Sequence, residues 1–243
     1  MAGPTLRIEA PNRTARAGGI SKVATVRQND LIGAAEGVVF QSDGCTFPFT
    51  EEVRCFATAP VPNKTYAGIE IEGAIGAPFT LVAGVACFIN PDQDEAERAA
   101  AAFEAGKDRA LEGALATWAA LGTALPAGGS VIGAIATVDQ ELDDNYIAQG
   151  VILMSRADVV RAETALMMGS DGIPHTTNGT PVLASGRVTP GTVYGLGSIS
   201  IDHTATQNYE SYDLEGNMHY ALAEAIFVLA VDCEFRVMST TGV

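Results

Sequence analysis

Over residues 92–120, hydrophobic positions recur at intervals of three and four: Ala96, Ala99 and Ala100, Phe103, Leu111, Leu115 and Trp118, with a slip near Gly106. The opposite positions carry Glu97, Arg98, Glu104, Asp108, Arg109 and Glu112. This period predicts one long amphipathic helix, about 40 Å at 1.5 Å per residue. Asp92 and Asp94 supply capping oxygens and negative charge for its first turn, and Gly122 and Pro126 end it.

Strand-like runs flank this helix. Ile69 and Ile71 alternate with Glu70 and Glu72, and 78–89 is nearly all apolar, as a buried strand would be. Residues 29–57 read as an extended hairpin, with a Ser42-Asp43-Gly44 turn signal and Pro48 demoting part of it to edge or loop. It is too thin in core residues to stand alone and needs a partner surface. Further on, the pattern predicts a helix over 138–148, a buried strand at 151–154, and a helix over 155–168 capped by Ser155 with Asp158 in its first turn. Residues 169–191 are turn-rich, with a short strand near 181–184. Strands follow at 192–201, 221–231 and 233–238, and 203–217 reads as a polar loop.

Composition narrows the class. Hydrophobic residues make up 47 % of the 243 and charged residues 18 %, with a net charge of −15. That hydrophobicity excludes intrinsic disorder, and the acidic balance argues against a duplex nucleic-acid reader. Four cysteines are too few for a disulfide scaffold. Sparse charge and only three lysines (Lys22, Lys64 and Lys107) suit surface that meets other protein, although a high-GC genome gives the same bias. The charge is also divided. Residues 1–28 hold Arg7, Arg13, Arg16, Lys22 and Arg27 against Glu9, a net +4, so the remainder carries −19. A basic, irregular leading arm on an acidic body can grip a neighbouring copy. The N-terminus has no signal-peptide core, and the longest apolar run near the end, 225–231, falls far short of the ~20 residues that span a bilayer. A protein made in the cytoplasm, with no membrane partner, is expected.

The sequence holds no catalytic signature: no G-x-S-x-G, H-E-x-x-H, C-x-x-C or Walker A loop. Gly195 and Gly197 lack the third glycine and following helix of a dinucleotide site. His175, His203 and His219 lie in or beside polar stretches, where a surface role is the simpler reading. The acidic groups Asp92/Asp94/Glu95/Glu97 and Asp139/Glu141/Asp143/Asp144 fall at expected helix starts, which accounts for them. Cys45 and Cys55 flank the hairpin tip; free thiols, a Cys45–Cys55 disulfide formed after release from a reducing cell, and a metal site are the open readings.

Four stretches in order along the chain carry a resemblance: GVVFQSDGCTFPFTEEVRCF; KTYAGIEIEGAIGAPFTLVAGVACFINPDQDEAERAAAAFEAGKDRALEGALATW; DDNYIAQGVILMSRADVVRA; and VYGLGSISID with NMHYALAEAIFVLAVDCEFRVMS. Together they cover nearly the whole chain, which resembles the major capsid proteins of actinobacterial tailed phages. The resemblance implies an α+β, Hong Kong 97-type fold. It divides the chain into an N-terminal arm (1–35), an extended loop (36–60), a peripheral domain with a long spine helix (61–129), an axial domain (130–195) and returning peripheral strands (196–243).

The resemblance further implies a structural protein and no enzyme, with no catalytic, cofactor or metal residues. Such a protein assembles with itself into pentamers and hexamers of an icosahedral head. It is made in the host cytoplasm and resides in the virion. The head encloses double-stranded DNA without reading its sequence. Scaffold, portal and decoration proteins are the further partners left open, and because the arm starts at Met1, a separate scaffold or none is expected. Arg7, Arg13, Arg16 and Lys22 of the arm and Glu51, Glu52 and Arg54 of the loop are the expected intersubunit contacts. With three lysines, a covalent Lys–Asn crosslink is not expected. Three alternatives remain: an encapsulin-like compartment shell of the same fold, a small-molecule enzyme using the 169–191 and 203–217 loops, and another virion part such as a tail-tube or head–tail connector protein.

Overall fold

The computed structural model describes residues 18–42, 45, 72–88 and 94–242, with the backbone alone for 72–75. In chain order the elements are β1 (Thr25–Gln28), β2 (Val38–Ser42), β3 (Glu72–Gly76), β4 (Phe79–Phe88), α1 (Glu95–Ala119), β5 (Thr123–Ala124), α2 (Val131–Asn145), β6 (Val151–Ser155) and α3 (Arg156–Arg161). They continue with β7 (Leu166–Met168), β8 (Pro174–Thr176), β9 (Val182–Ser185), β10 (Thr192–Leu196), β11 (Ile199–His203), β12 (Gln207–Asp213), β13 (Met218–Val231) and β14 (Arg236–Thr240).

The long helix forms where the pattern puts it. Asp94 caps it, its carboxylate accepting from the Glu97 N–H at 2.9 Å. Ala99, Phe103, Leu111, Leu115 and Ala119 form the buried stripe, and the eight-residue gap between Phe103 and Leu111 keeps them on one face. That stripe packs on the first sheet, ordered β1-β11-β13-β12 with β4 on the other side of β13. Ala221, Ala223, Ala225 and Phe227 of β13 alternate toward the helix. Burying a leucine such as Leu115 contributes about 2 kcal/mol. Glu112, assigned by the helical pattern to the solvent face, is fully buried and accepts a hydrogen bond from the Ser185 hydroxyl at 2.7 Å.

The second sheet runs β5-β14-β10-β6-β9. Every residue of β6 is buried, as its apolar run predicts. Val151 and Leu153 join the core under α1, while Ile152 and Met154 join a second core under α2. Gly195 of β10 lies where α2 crosses closest, since a Cβ there would sit 2.7 Å from Val138 Cγ1.

Besides the passage from β4 through α1 to β5, the chain passes between the sheets at two adjacent places. One is Gly197–Ser198, between β10 and β11, and the other is the corner Asp232–Glu234, between β13 and β14. Backbone hydrogen bonds join them, Asp232 N to Ser198 O at 2.8 Å and Gly197 N to Phe235 O at 3.1 Å. Cys233 and Glu234 adopt left-handed φ values of 58° and 46°, a conformation that costs non-glycine residues about 1 kcal/mol each.

Several expectations change. The 192–201 run is two strands in two sheets, because Gly197 allows the chain to turn against the Asp232 carbonyl. Residues 207–213, read as loop, form β12 along β13; both faces are exposed, so no alternation marks it. The helix expected over 138–148 starts at Val131, capped by Ser130, whose hydroxyl accepts from Gly133 N at 3.0 Å. Asp139, Glu141, Asp143 and Asp144 therefore lie in its middle and last turns and not at its start. The 155–168 helix stops at Arg161, because Leu166–Met168 leave it to pair with Pro174–Thr176. The strand β2 pairs with β3, and residues 43–44 and 46–57 of the expected hairpin lie outside the described residues. The last strand, β14, belongs to the second sheet, beside β10, and so does not return to the first sheet with the rest of 196–243.

Candidate assembly surface

Of the expected contact residues, Lys22 is described and exposed; Arg7, Arg13, Arg16, Glu51, Glu52 and Arg54 lie outside the described residues. Lys22 belongs to a 3₁₀ turn, Ile20–Lys22, which is anchored to the body. Ile20 is fully buried in the α1 core, and the Ser21 hydroxyl donates to Asp108 at 2.5 Å. Next, β1 pairs in parallel with β11, and Arg27 reaches Asp202 at 3.0 Å. The basic segment is therefore part of the folded body from Ile20 onward. The one signal in the sequence is the short apolar set Ile20, Val23 and Ala24, all of which join that core.

Of the open readings for Cys45, the bond to Cys55 is not the one formed. Cys45 is bonded to Cys233, 188 residues away, with Cα atoms 5.5 Å apart; Cys55 lies outside the described residues. Cys45 follows β2, and Cys233 sits in the corner between the sheets. Around the bond, the Ser42 hydroxyl donates to Asp232 at 2.6 Å and accepts from Cys233 N at 3.1 Å. Asp232 also accepts from the Tyr146 hydroxyl at 2.8 Å, which in turn accepts from Ser198 N at 2.9 Å. Burial raises the Tyr146 pKa, so this phenol stays a donor at neutral pH. Sequence separation hid the pairing: only the fold brings β2 to the corner.

The polar loops place His175 between two acceptors. Its Nδ1 lies 3.0 Å from the Gly179 carbonyl and its Nε2 2.9 Å from Asp171. The Gly179 carbonyl first, and then Asp171, raise its pKa, while the Ile173 N–H and His175 lower that of Asp171. With both ring nitrogens occupied, this imidazole has none left to activate a hydroxyl or thiol. Among the described residues no histidine hydrogen-bonds a hydroxyl or thiol: His203 Nδ1 lies 2.9 Å from the Thr204 carbonyl, and His219 stacks on Tyr212 with its Nε2 3.4 Å from Glu210. Asp139 receives Thr176, Asn178 and Thr180 at 3.3, 2.8 and 2.5 Å and pins the next turn to α2. This arrangement shapes a turn. Among the described residues no group of three or more His, Cys, Asp or Glu could hold a metal ion, and no helix is long and apolar enough to cross a membrane.

What the body does present is apolar surface. On the side of the first sheet turned from α1, register places Phe88 beside Met218, Val82 beside Glu224, and Tyr209 beside Leu222. Phe88, Val82, Tyr209 and Tyr220 are exposed, at 61, 54, 49 and 43 %. Leu31 and Leu214 are more than four-fifths exposed. Val82, Phe88, Tyr209 and Tyr220 thus form an exposed apolar group on one sheet face, of the kind that suits a partner surface.

No protein-family model and no curated protein sequence matches the chain. Solved structures do. The capsid of a native GTA particle, computed with C5 symmetry, aligns over 98 % of this chain and 95 % of its own, with a TM-score of 0.62 at 11 % identity. A chain of Mycobacterium phage Che8 aligns over 99 % and 97 %, with a TM-score of 0.56 at 11 % identity. A virus-like particle from Pyrococcus furiosus aligns over 90 % and 91 %, with a TM-score of 0.57 at 10 % identity. At such identities the likeness is one of fold, and it runs end to end: this chain has the α+β, Hong Kong 97-type capsid fold.

Proposed function

We propose that this chain is a major capsid protein that assembles with itself into the pentamers and hexamers of an icosahedral phage head around double-stranded DNA. The observation that carries the reading is the alignment of 98 % of the chain with the capsid of a GTA particle. The exposed face of β4, β13 and β12 supports it, as surface for a second copy to cover. The basic residues Arg7, Arg13 and Arg16 reach for a neighbour's acidic body, and Glu51, Glu52 and Arg54 of the extended loop contact the next subunit. Lys22 lies at the root of that arm. Residues 61–129 with α1 serve as the peripheral domain and 130–195 as the axial domain, now joined by β14. The −19 of residues 29–243 keeps packed DNA from adhering to the shell wall.

The virus-like particle from Pyrococcus furiosus supports a second reading, a protein compartment of the same fold that encloses protein cargo. Sedimentation of the purified chain, with analysis of contents, tests both. The head reading predicts shell-sized particles which, recovered from the producing virus, hold nuclease-protected DNA. Particles that enclose protein and no DNA favour the compartment. A compact monomer at high concentration, with a radius of gyration of about 18 Å, contradicts both.

A further inference from the structure

The Cys45–Cys233 bond joins two segments that non-covalent contacts already hold together. Ser42, three residues before Cys45, bonds both the Asp232 carboxylate and the Cys233 N–H, and Asp232 is fixed in turn by Tyr146. With the bond reduced, these contacts keep the two sulfurs opposed, so their effective concentration is high and oxidation is favoured. Both cysteines are only half-buried, within reach of a small reagent. Cys87, on β4, is free. Beneath the joined segments lies an apolar cavity of 220 Å³, lined by Phe40 and Gly76 of the β2–β3 ribbon, by Phe79, by Leu115 and Trp118 of α1, and by Glu234 of the corner. Fastening β2 to the corner fixes the ribbon as one wall of that cavity.

We propose that Cys45 and Cys233 form an oxidation-gated staple, reduced while the protein is in a reducing cytoplasm and closed by a small-molecule disulfide once the folded protein meets an oxidising medium. One cysteine thiolate attacks the small disulfide, giving a mixed disulfide and releasing one small thiolate. The other attacks the protein sulfur of that mixed disulfide, forms the Cys45–Cys233 bond and releases the second. The pair loses two electrons, the small disulfide gains two, and the two protons from the cysteine thiols pass to the departing thiolates. Closure ties the base of the 43–71 segment to the junction of the two sheets and restricts the unfolded chain across 188 residues. The staple rests on the fold alone and stands or falls apart from the shell reading.

The test uses the full chain, reduced and then treated with oxidised or reduced glutathione. Oxidation is expected to yield a Cys45–Cys233 peptide by mapping, to raise Tm by about 10 °C and to lower the binding of an apolar dye. Cys45→Ser and Cys233→Ser each remove these changes, and Cys87→Ser keeps them. The wild-type comparison requires no variant to fold. Thiols at 45 and 233 that stay titratable after oxidised glutathione, a bond mapped to Cys55 or Cys87, or a bond that leaves Tm unchanged would each overturn the proposal.

Discussion

His175 and Asp171 show how one residue pair gives the polar turn a pH window. The His175 pKa is raised, so its stabilising part is present below the ordinary imidazole value of about 6.5 and is lost as pH rises through the higher folded value. The Asp171 pKa is lowered, so its part is present above the ordinary carboxyl value of about 3.9 and is lost as pH falls through the lower folded value. The turn is tightest between those limits. Amides of 169–180, corrected for intrinsic exchange, are expected to exchange more slowly at mildly acidic than at alkaline pH, and His175→Gln is expected to abolish the difference. Equal protection in the wild type at both pH values would refute the pairing. The sequence placed His175 in a polar turn, but its partners depend on how the backbone folds back four residues later. The same holds for Asp139, which the sequence assigned to a helix dipole and which the fold uses to hold Thr176, Asn178 and Thr180.

At the scale of elements, legibility followed burial pattern. The helix α1 and strand β6 were readable because one buries a regular stripe and the other buries every residue. The strand β12 was not, because all seven of its residues are exposed and only pairing with β13 makes it a strand. The 155–168 stretch misled because Val159, Ala162 and Leu166 have helical spacing and do reach the core, but the last is delivered by a strand. The start of α2 was missed because Gly133, in its first turn, resembles loop. Its glycine serves close packing instead, since a Cβ there would collide with the Gly128 carbonyl. Gly133→Ala is accordingly expected to destabilise the fold by about 1–3 kcal/mol in chemical denaturation, despite alanine's better helix propensity. A stabilised variant would show that the Gly128 loop yields freely.

For the whole molecule, the fold class was legible because packing patterns extend along nearly the entire chain. The boundary of the basic arm was not. Removing 1–28 would take the buried Ile20 and the β1 pairing with it, so the informative deletion is 1–17. That deletion should leave Tm within about 2 °C, since changes away from the core cost little, and reduce the yield of particles several-fold, as read by thermal melting and sedimentation. Unchanged particle yield would remove Arg7, Arg13 and Arg16 from the account of assembly.

The most direct measurement of the central claim is electron microscopy of the assembled, purified protein. A capsid protein of this fold is expected to give closed icosahedral particles whose capsomers are built from it, with the face of β4, β13 and β12 covered by neighbouring copies. A field of compact monomers, or a particle that leaves that face open to solvent, would contradict it.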